Sequence, residues 1–318
     1  MENKSIFEIH ESLPTSSYQK KSASKTPKKR SEIPASHYKR LMNEAPPKRD
    51  PYVRRGVNMG SVGKLGKTEE MEKYLLEFWS PSAEELTYTS EKYLGSGAVT
   101  GDMVARRLHE RGATYQAAQG EETHREMFVQ LEYGMRGFID LVLDVDFMKI
   151  EGAKTKKTTL KENREREYRV VEVKETSSSN YSLWVSQEDL PLHYRTQFSL
   201  YAKWAKDVGI TKDTKGQFLI ISRDNPNSVK TIDVEREPLL CENAVRHAQT
   251  FWDHVFNMTS PMKGVDKEYV YKAIYDQPER LFGSGDGLGR WGEARGFVLD
   301  VMRSKEFLDF VVNLEKGE

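Results

Sequence analysis

Glu172 and Lys174 stand two residues apart in the run Tyr168-Arg169-Val170-Val171-Glu172-Val173-Lys174. Read as a strand, this run puts Tyr168, Val170, Glu172 and Lys174 on one face and Val171 and Val173 on the other. An exposed carboxylate–ammonium pair at this spacing would contribute little. The three valines mark a central, buried strand, and charges at the end of such a strand need a reason. Asp140 follows Gly137-Phe138-Ile139 and precedes Leu141-Val142-Leu143, so a carboxylate is set inside an apolar strand. If the two strands pair, Asp140 and Glu172 converge, and a divalent cation would relieve their repulsion. Oxygen donors favour a hard ion, Mg²⁺ or Mn²⁺. Such an ion lowers the pKa of bound water and offsets charge developing on a phosphate. Lys174, beside that water, could orient or activate it and neutralise the phosphate.

Gln197 and Tyr201 lie four residues apart in His193-Tyr194-Arg195-Thr196-Gln197-Phe198-Ser199-Leu200-Tyr201 and share one helix face. With Gly137-Phe138-Ile139-Asp140, then Glu172-Val173-Lys174, then Gln197 and Tyr201 in that order, the chain resembles the RecB-like branch of the PD-(D/E)xK nuclease superfamily. The resemblance covers roughly residues 100–235. It implies a restriction-endonuclease-like α/β fold, a mixed central sheet flanked by helices. It also implies that Asp140, Glu172 and the carbonyl of Val173 coordinate the metal and that Lys174 is the catalytic lysine. Gln197 and Tyr201 would brace the site and contact the DNA strand. Relatives carry an upstream helical histidine that can be a metal ligand; His109 is the better match and His124 the rival, and either would otherwise be structural.

The implied activity is a metal-dependent deoxyribonuclease acting as an exonuclease on DNA ends, in recombination, repair or replication. An endonuclease of the same superfamily, or a DNA-binding or assembly protein on an inactive scaffold, are the alternatives. Some relatives bind an iron–sulfur cluster through four cysteines; this chain has one, Cys241. No helicase region is present, so DNA opening would need a separate helicase or recombination partner.

The elements that must position these residues follow from periodicity. Apolar spacing predicts helices over 69–78 and 101–111, strands over 128–133 and 137–145 joined by a turn at 134–136, and a strand over 168–174. A helix is expected over 192–205 behind Pro191, a hairpin over 217–222 and 229–234, a helix over 241–258 and a last one over 291–313. The Lys- and Arg-rich insert between Asp146 and Glu167 reads either as a DNA-contacting flap or as a solvated loop. Glu175–Asn180, after the catalytic strand, reads as a polar loop that offers donors to a phosphate or as an ordinary turn. The expected division is a basic disordered arm over 1–67, a core over 68–258 and a helical extension over 259–318.

The chain's zero net charge hides an asymmetry, because residues 1–67 hold fifteen Lys or Arg against six Asp or Glu. That arm fits sequence-blind phosphate attraction or a solvated tail equally. A single cysteine excludes an internal disulfide and Cys-rich metal sites. No apolar run of membrane-spanning length and no apolar leader occur, so a soluble, intracellular protein is the expectation. Ser61–Thr68 nearly matches a phosphate-binding P-loop but lacks the first glycine and a preceding strand. The glycine-rich 283–289 stretch reads as a connector. Trp252 and Phe256 read as core, and Trp184 either as loop-covered core or as a base-stacking ring.

Overall fold

The structure, a computed structural model, describes residues 56–80, 101, 103–110, 113–115, 127–145, 166–187, 190–225, 227–278 and 292–317. In chain order these form α1 (Met59–Val62), α2 (Thr68–Trp79), α3 (residues 103–110), β1 (Met127–Gln130), β2 (Arg136–Ile139), β3 (Leu141–Asp144) and β4 (Tyr168–Thr176). There follow α4 (Ser178–Gln187), α5 (Leu192–Asp207), β5 (Lys215–Ser222), β6 (Val229–Glu235), α6 (Pro238–Phe256), α7 (Lys267–Asp276), α8 (Gly292–Arg303) and α9 (Lys305–Lys316). The fold is mixed α/β. Its main sheet has the order β3-β4-β5-β6, with β3 antiparallel to β4, β4 parallel to β5 and β5 antiparallel to β6. The parallel pair requires a long crossover, which α4 and α5 supply.

β-branched and apolar residues make β4 and β5 buried on both faces, and period-2 alternation sorts them into two cores. Val142, Val170, Phe218, Ile220 and Ile232 face the larger core with α5, α6 and α2. Leu141, Leu143, Val171, Leu219 and Ile221 face a smaller one covered by Val104 and Ala105 of α3.

The segment expected as one strand over 137–145 is two. Its first half pairs with β1 in a separate two-stranded sheet, its second half joins the main sheet, and the break falls at Asp140. The β1–β2 turn keeps Tyr133 (φ 54°) and Gly134 (φ 62°) left-handed. Trp252 Nε1 holds the Tyr133 carbonyl at 2.7 Å, and Gln249 Nε2 its hydroxyl at 2.7 Å.

Other expectations shift. Residues 56–67, assigned to the basic arm, carry Val57, Met59, Val62 and Leu65 fully into the main core. The loop after β4 is the helix α4, which buries no residue and so leaves little apolar periodicity to read. The last helix is broken at Ser304, whose hydroxyl caps α9 by accepting from the Phe307 N–H at 3.2 Å. Within the segment expected to be a helical extension, α7 has Asp266 as its N-cap and buries Val270, Tyr271, Ala273 and Ile274 at helical spacing. The helices of the C-terminal part pack on the same core; Phe297 contacts both Trp79 and Phe256 edge-on. The basic run at 19–30, the insert at 146–165, His124 and the glycine-rich 283–289 stretch lie outside the described residues. Among the described residues, no helix is long and apolar enough to cross a membrane.

Candidate active site

Alternation along β4 turns Glu172 and Lys174 to the same side as Val170, toward α5. Asp140 arrives at the bend between β2 and β3. In the β3–β4 register Leu141 faces Val171, so Val173 would next pair with Ile139, but Ile139 belongs to the other sheet. Asp140 replaces that missing ladder partner: its Oδ2 accepts the Val173 N–H at 2.8 Å. A main-chain donor that would otherwise be orphaned is satisfied, and the carboxylate is fixed beside β4.

Of the two carboxylates, Asp140 departs from the sequence expectation in burial. Asp140, expected inside an apolar strand, keeps 26% of its side chain exposed, whereas Glu172 is wholly buried. Lys174 lies between them, its Nζ donating to Glu172 Oε2 at 2.9 Å and standing 3.7 Å from Asp140 Oδ2. Glu172 Oε1 is buried with no hydrogen-bond partner. One cation thus serves two carboxylates, and one buried oxygen remains unsatisfied.

The electrostatics follow. Burial, then the Asp140 charge, push the Glu172 carboxyl up to about 8, and Lys174 only partly opposes them. Burial acts to lower Lys174, but the Glu172 and Asp140 charges outweigh it and hold the ammonium above the usual lysine range. Lys174 Nζ also lies 5.4 Å from the centroid of the Tyr194 ring.

Helix α5 supplies the opposite wall. Gln197 Nε2 donates to the Tyr201 hydroxyl at 3.0 Å, and the Phe138 N–H donates to the same hydroxyl at 3.0 Å. Tyr201 is buried, and burial followed by the nearby Glu172 charge raises its phenol above the ordinary tyrosine range. This placement explains Gly137. A Cβ there would run into the Tyr201 hydroxyl and ring, so only glycine lets β2 approach α5.

The fold therefore gathers Asp140, Glu172, Val173, Lys174, Gln197 and Tyr201. His109 Nδ1 instead lies 3.0 Å from Thr114 Oγ1, and Thr114 bridges to Leu143, three residues beyond Asp140. Tyr194 and His193 also line the site and were not singled out. Their spacing of three and four from Gln197 was the available signal. Gly60 of α1 also approaches Gln197: a Cβ there would lie 3.8 Å from its amide, a proximity that no sequence periodicity encodes. Trp184 of α4 packs edge-on against Tyr194 at 5.7 Å.

Among the described residues no group of three or more His, Cys, Asp or Glu side chains comes together to hold a metal. The oxygens available are those of Asp140 and Glu172 and the main chain of β4. The unsatisfied, buried Glu172 Oε1 and the surplus of carboxylate over ammonium fit a hard divalent cation.

No sequence family matches the chain, and no curated protein matches it. Among solved structures it is similar to an alkaline exonuclease (LHK-Exo) from Laribacter hongkongensis, at 11% identity and a TM-score of 0.38, covering 71% of this chain and 93% of that one. The complex of LHK-Exo with dAMP aligns at 10% identity and a TM-score of 0.38 over the same shares. SSO0001 aligns at 12% identity and a TM-score of 0.34, covering 76% of this chain and 94% of that one.

Proposed function

We propose that this chain is a metal-dependent nuclease. More narrowly, we place it in the RecB-like branch of the PD-(D/E)xK superfamily, as a Mg²⁺- or Mn²⁺-dependent deoxyribonuclease working from DNA ends. The observation that carries the reading is the buried Glu172 carboxylate, with one oxygen unsatisfied, sharing a single lysine with Asp140. A buried carboxyl pushed up in this way and left one hydrogen bond short is costly, and a protein keeps it where an ion or a reaction requires it.

Asp140, Glu172 and the Val173 carbonyl would hold the metal. A residue's N–H and C=O leave a strand on the same side, so the Val173 carbonyl shares the side on which Asp140 takes its N–H. The ion, when bound, supplies an acidified water and neutralises the phosphate. The chain's own groups do the rest. Lys174 is held protonated and would donate to the phosphate oxygen on which charge develops. Tyr201 accepts two hydrogen bonds, which fill its lone pairs and leave its own proton for another acceptor, such as a substrate oxygen. Gln197 fixes the tyrosine's orientation.

The test is cleavage of linear double-stranded, single-stranded and circular DNA with and without Mn²⁺. Linear DNA is expected to be degraded only with the ion, circular DNA to survive, and Asp140→Ala to abolish the reaction. Wild-type rates in Asp140→Ala would remove the site assignment; cutting of the circle would make the enzyme an endonuclease.

A further inference from the structure

The β1–β2 hairpin turns one face inward and leaves the other bare. Val129, Gly137 and Ile139 are buried, while Phe128 and Phe138, directly opposite each other across the pair, are each 49% exposed. Their ring centroids lie 5.5 Å apart at 58°, so they form a joint aromatic surface. Two half-exposed phenylalanines that contact each other are costly in water and mark a surface meant to be covered.

Their position says by what. Phe138 is two residues before Asp140, and its own N–H holds the Tyr201 hydroxyl at 3.0 Å. Two residues of strand span about 7 Å, so the backbone of Phe138 lies about one nucleotide's length from that of the proposed metal-binding Asp140. Gln130, next to this pair on the same outer face, is exposed and adds an amide beside the rings. Paired, exposed aromatic faces are the chemistry of single-stranded nucleic acid, with the rings taking base planes. A base within a duplex has no free plane to offer.

We propose that Phe128 and Phe138 form a stacking platform for an unpaired nucleobase next to the scissile phosphate, so that the site takes a frayed or single-stranded end. This rests on the nuclease reading above. It adds two positioning residues that act on the substrate's base rather than on its phosphate.

The probe is a single-stranded oligonucleotide with 2-aminopurine near its end, titrated with the full chain in Ca²⁺. Stacking on the rings is expected to change the probe's fluorescence. Phe128→Thr with Phe138→Thr, which keeps strand propensity, should lose that change and weaken binding about 10-fold or more. Phe128→Trp should retain both, and serves if the double variant melts early. Equal affinity and fluorescence in wild type and the double variant overturn the platform, as does a wild type that binds without altering the probe. Cleavage in Mn²⁺ separates the two ideas. A wild type that stacks the probe but hydrolyses nothing defeats the nuclease reading alone. A double variant that cleaves single strands with unchanged KM defeats the platform alone.

Discussion

Strand β4 buries a glutamate toward each face, and the two are treated differently. On the α3 side Glu175 is nearly buried and meets the Arg223 guanidinium at 3.2 Å, one carboxylate opposite one cation. On the α5 side Glu172 is fully buried, yet its lysine is shared with Asp140 and one of its oxygens has no partner. Both sit in the same short stretch of backbone, so burial alone does not explain the contrast. A structural pair is closed by its own partner. A reactive site is left short of positive charge, and that deficit is where an ion or substrate can gain binding energy.

The sharpest way to break this contrast is to remove the cation from each side. Lys174→Ala is expected to cut DNA hydrolysis by about 10³-fold or more and to cost about 3–5 kcal/mol of stability, because two carboxylates then lack their cation. Arg223→Ala should cost about 1–3 kcal/mol, since that guanidinium is a quarter exposed, and should leave turnover per folded molecule unchanged. Denaturant melts and single-turnover cleavage read both. Equal losses of activity in the two variants would erase the distinction between the faces.

Much of the charged face was legible, for a definite reason. Period-2 alternation is strict, so Glu172 and Lys174 had to share a side with Val170, and the i,i+4 rule had to join Gln197 to Tyr201. What alternation does not encode is where a strand changes sheets. The run 137–145 reads as continuous because its apolar residues continue; the break at Asp140 arises from tertiary pairing, with Ile139 taken by β1 and Leu141 by β4. The partial exposure of Asp140 follows from that break. The packed segment 56–67 was hidden by the basic composition upstream of it, which masked four buried apolar residues. Helix α4 was hidden because none of its residues is fully buried, so its apolar periodicity is weak.

The bend makes Gly137 the next test. Its missing Cβ is what allows the Tyr201 hydroxyl to accept the Phe138 N–H, and so couples β2 to the site wall. Gly137→Ala should cost about 1–3 kcal/mol by overpacking and lower cleavage by displacing Tyr201. Tyr201→Phe, alone, removes both hydrogen bonds at the hydroxyl. Because the two changes act on one contact, the double variant should be less harmed than the sum of the singles. Additive losses in a thermal and kinetic double-mutant cycle would show that glycine is needed there for some other reason.

The smallest expected effect asks how far the cationic side of the site extends. His193, half-buried at the start of α5, is pushed down to about 4 by burial, then by the Lys64 and Lys174 charges, with Glu70 opposing. An unfolded histidine titrates near ~6.5. Between these values the unfolded chain takes up a proton that the folded one refuses, so this group's contribution is intact above ~6.5 and is lost as pH falls toward 4. His193→Gln cannot take up that proton in either state. The gap between wild-type and variant melting temperatures should therefore be constant above pH ~7 and move against the wild type on acidification, by a modest amount because solvent screens a half-exposed ring. Melting curves that stay parallel from pH 7.5 to 4.5 would show that neither burial nor the Lys64 and Lys174 charges keep the folded His193 from taking up a proton.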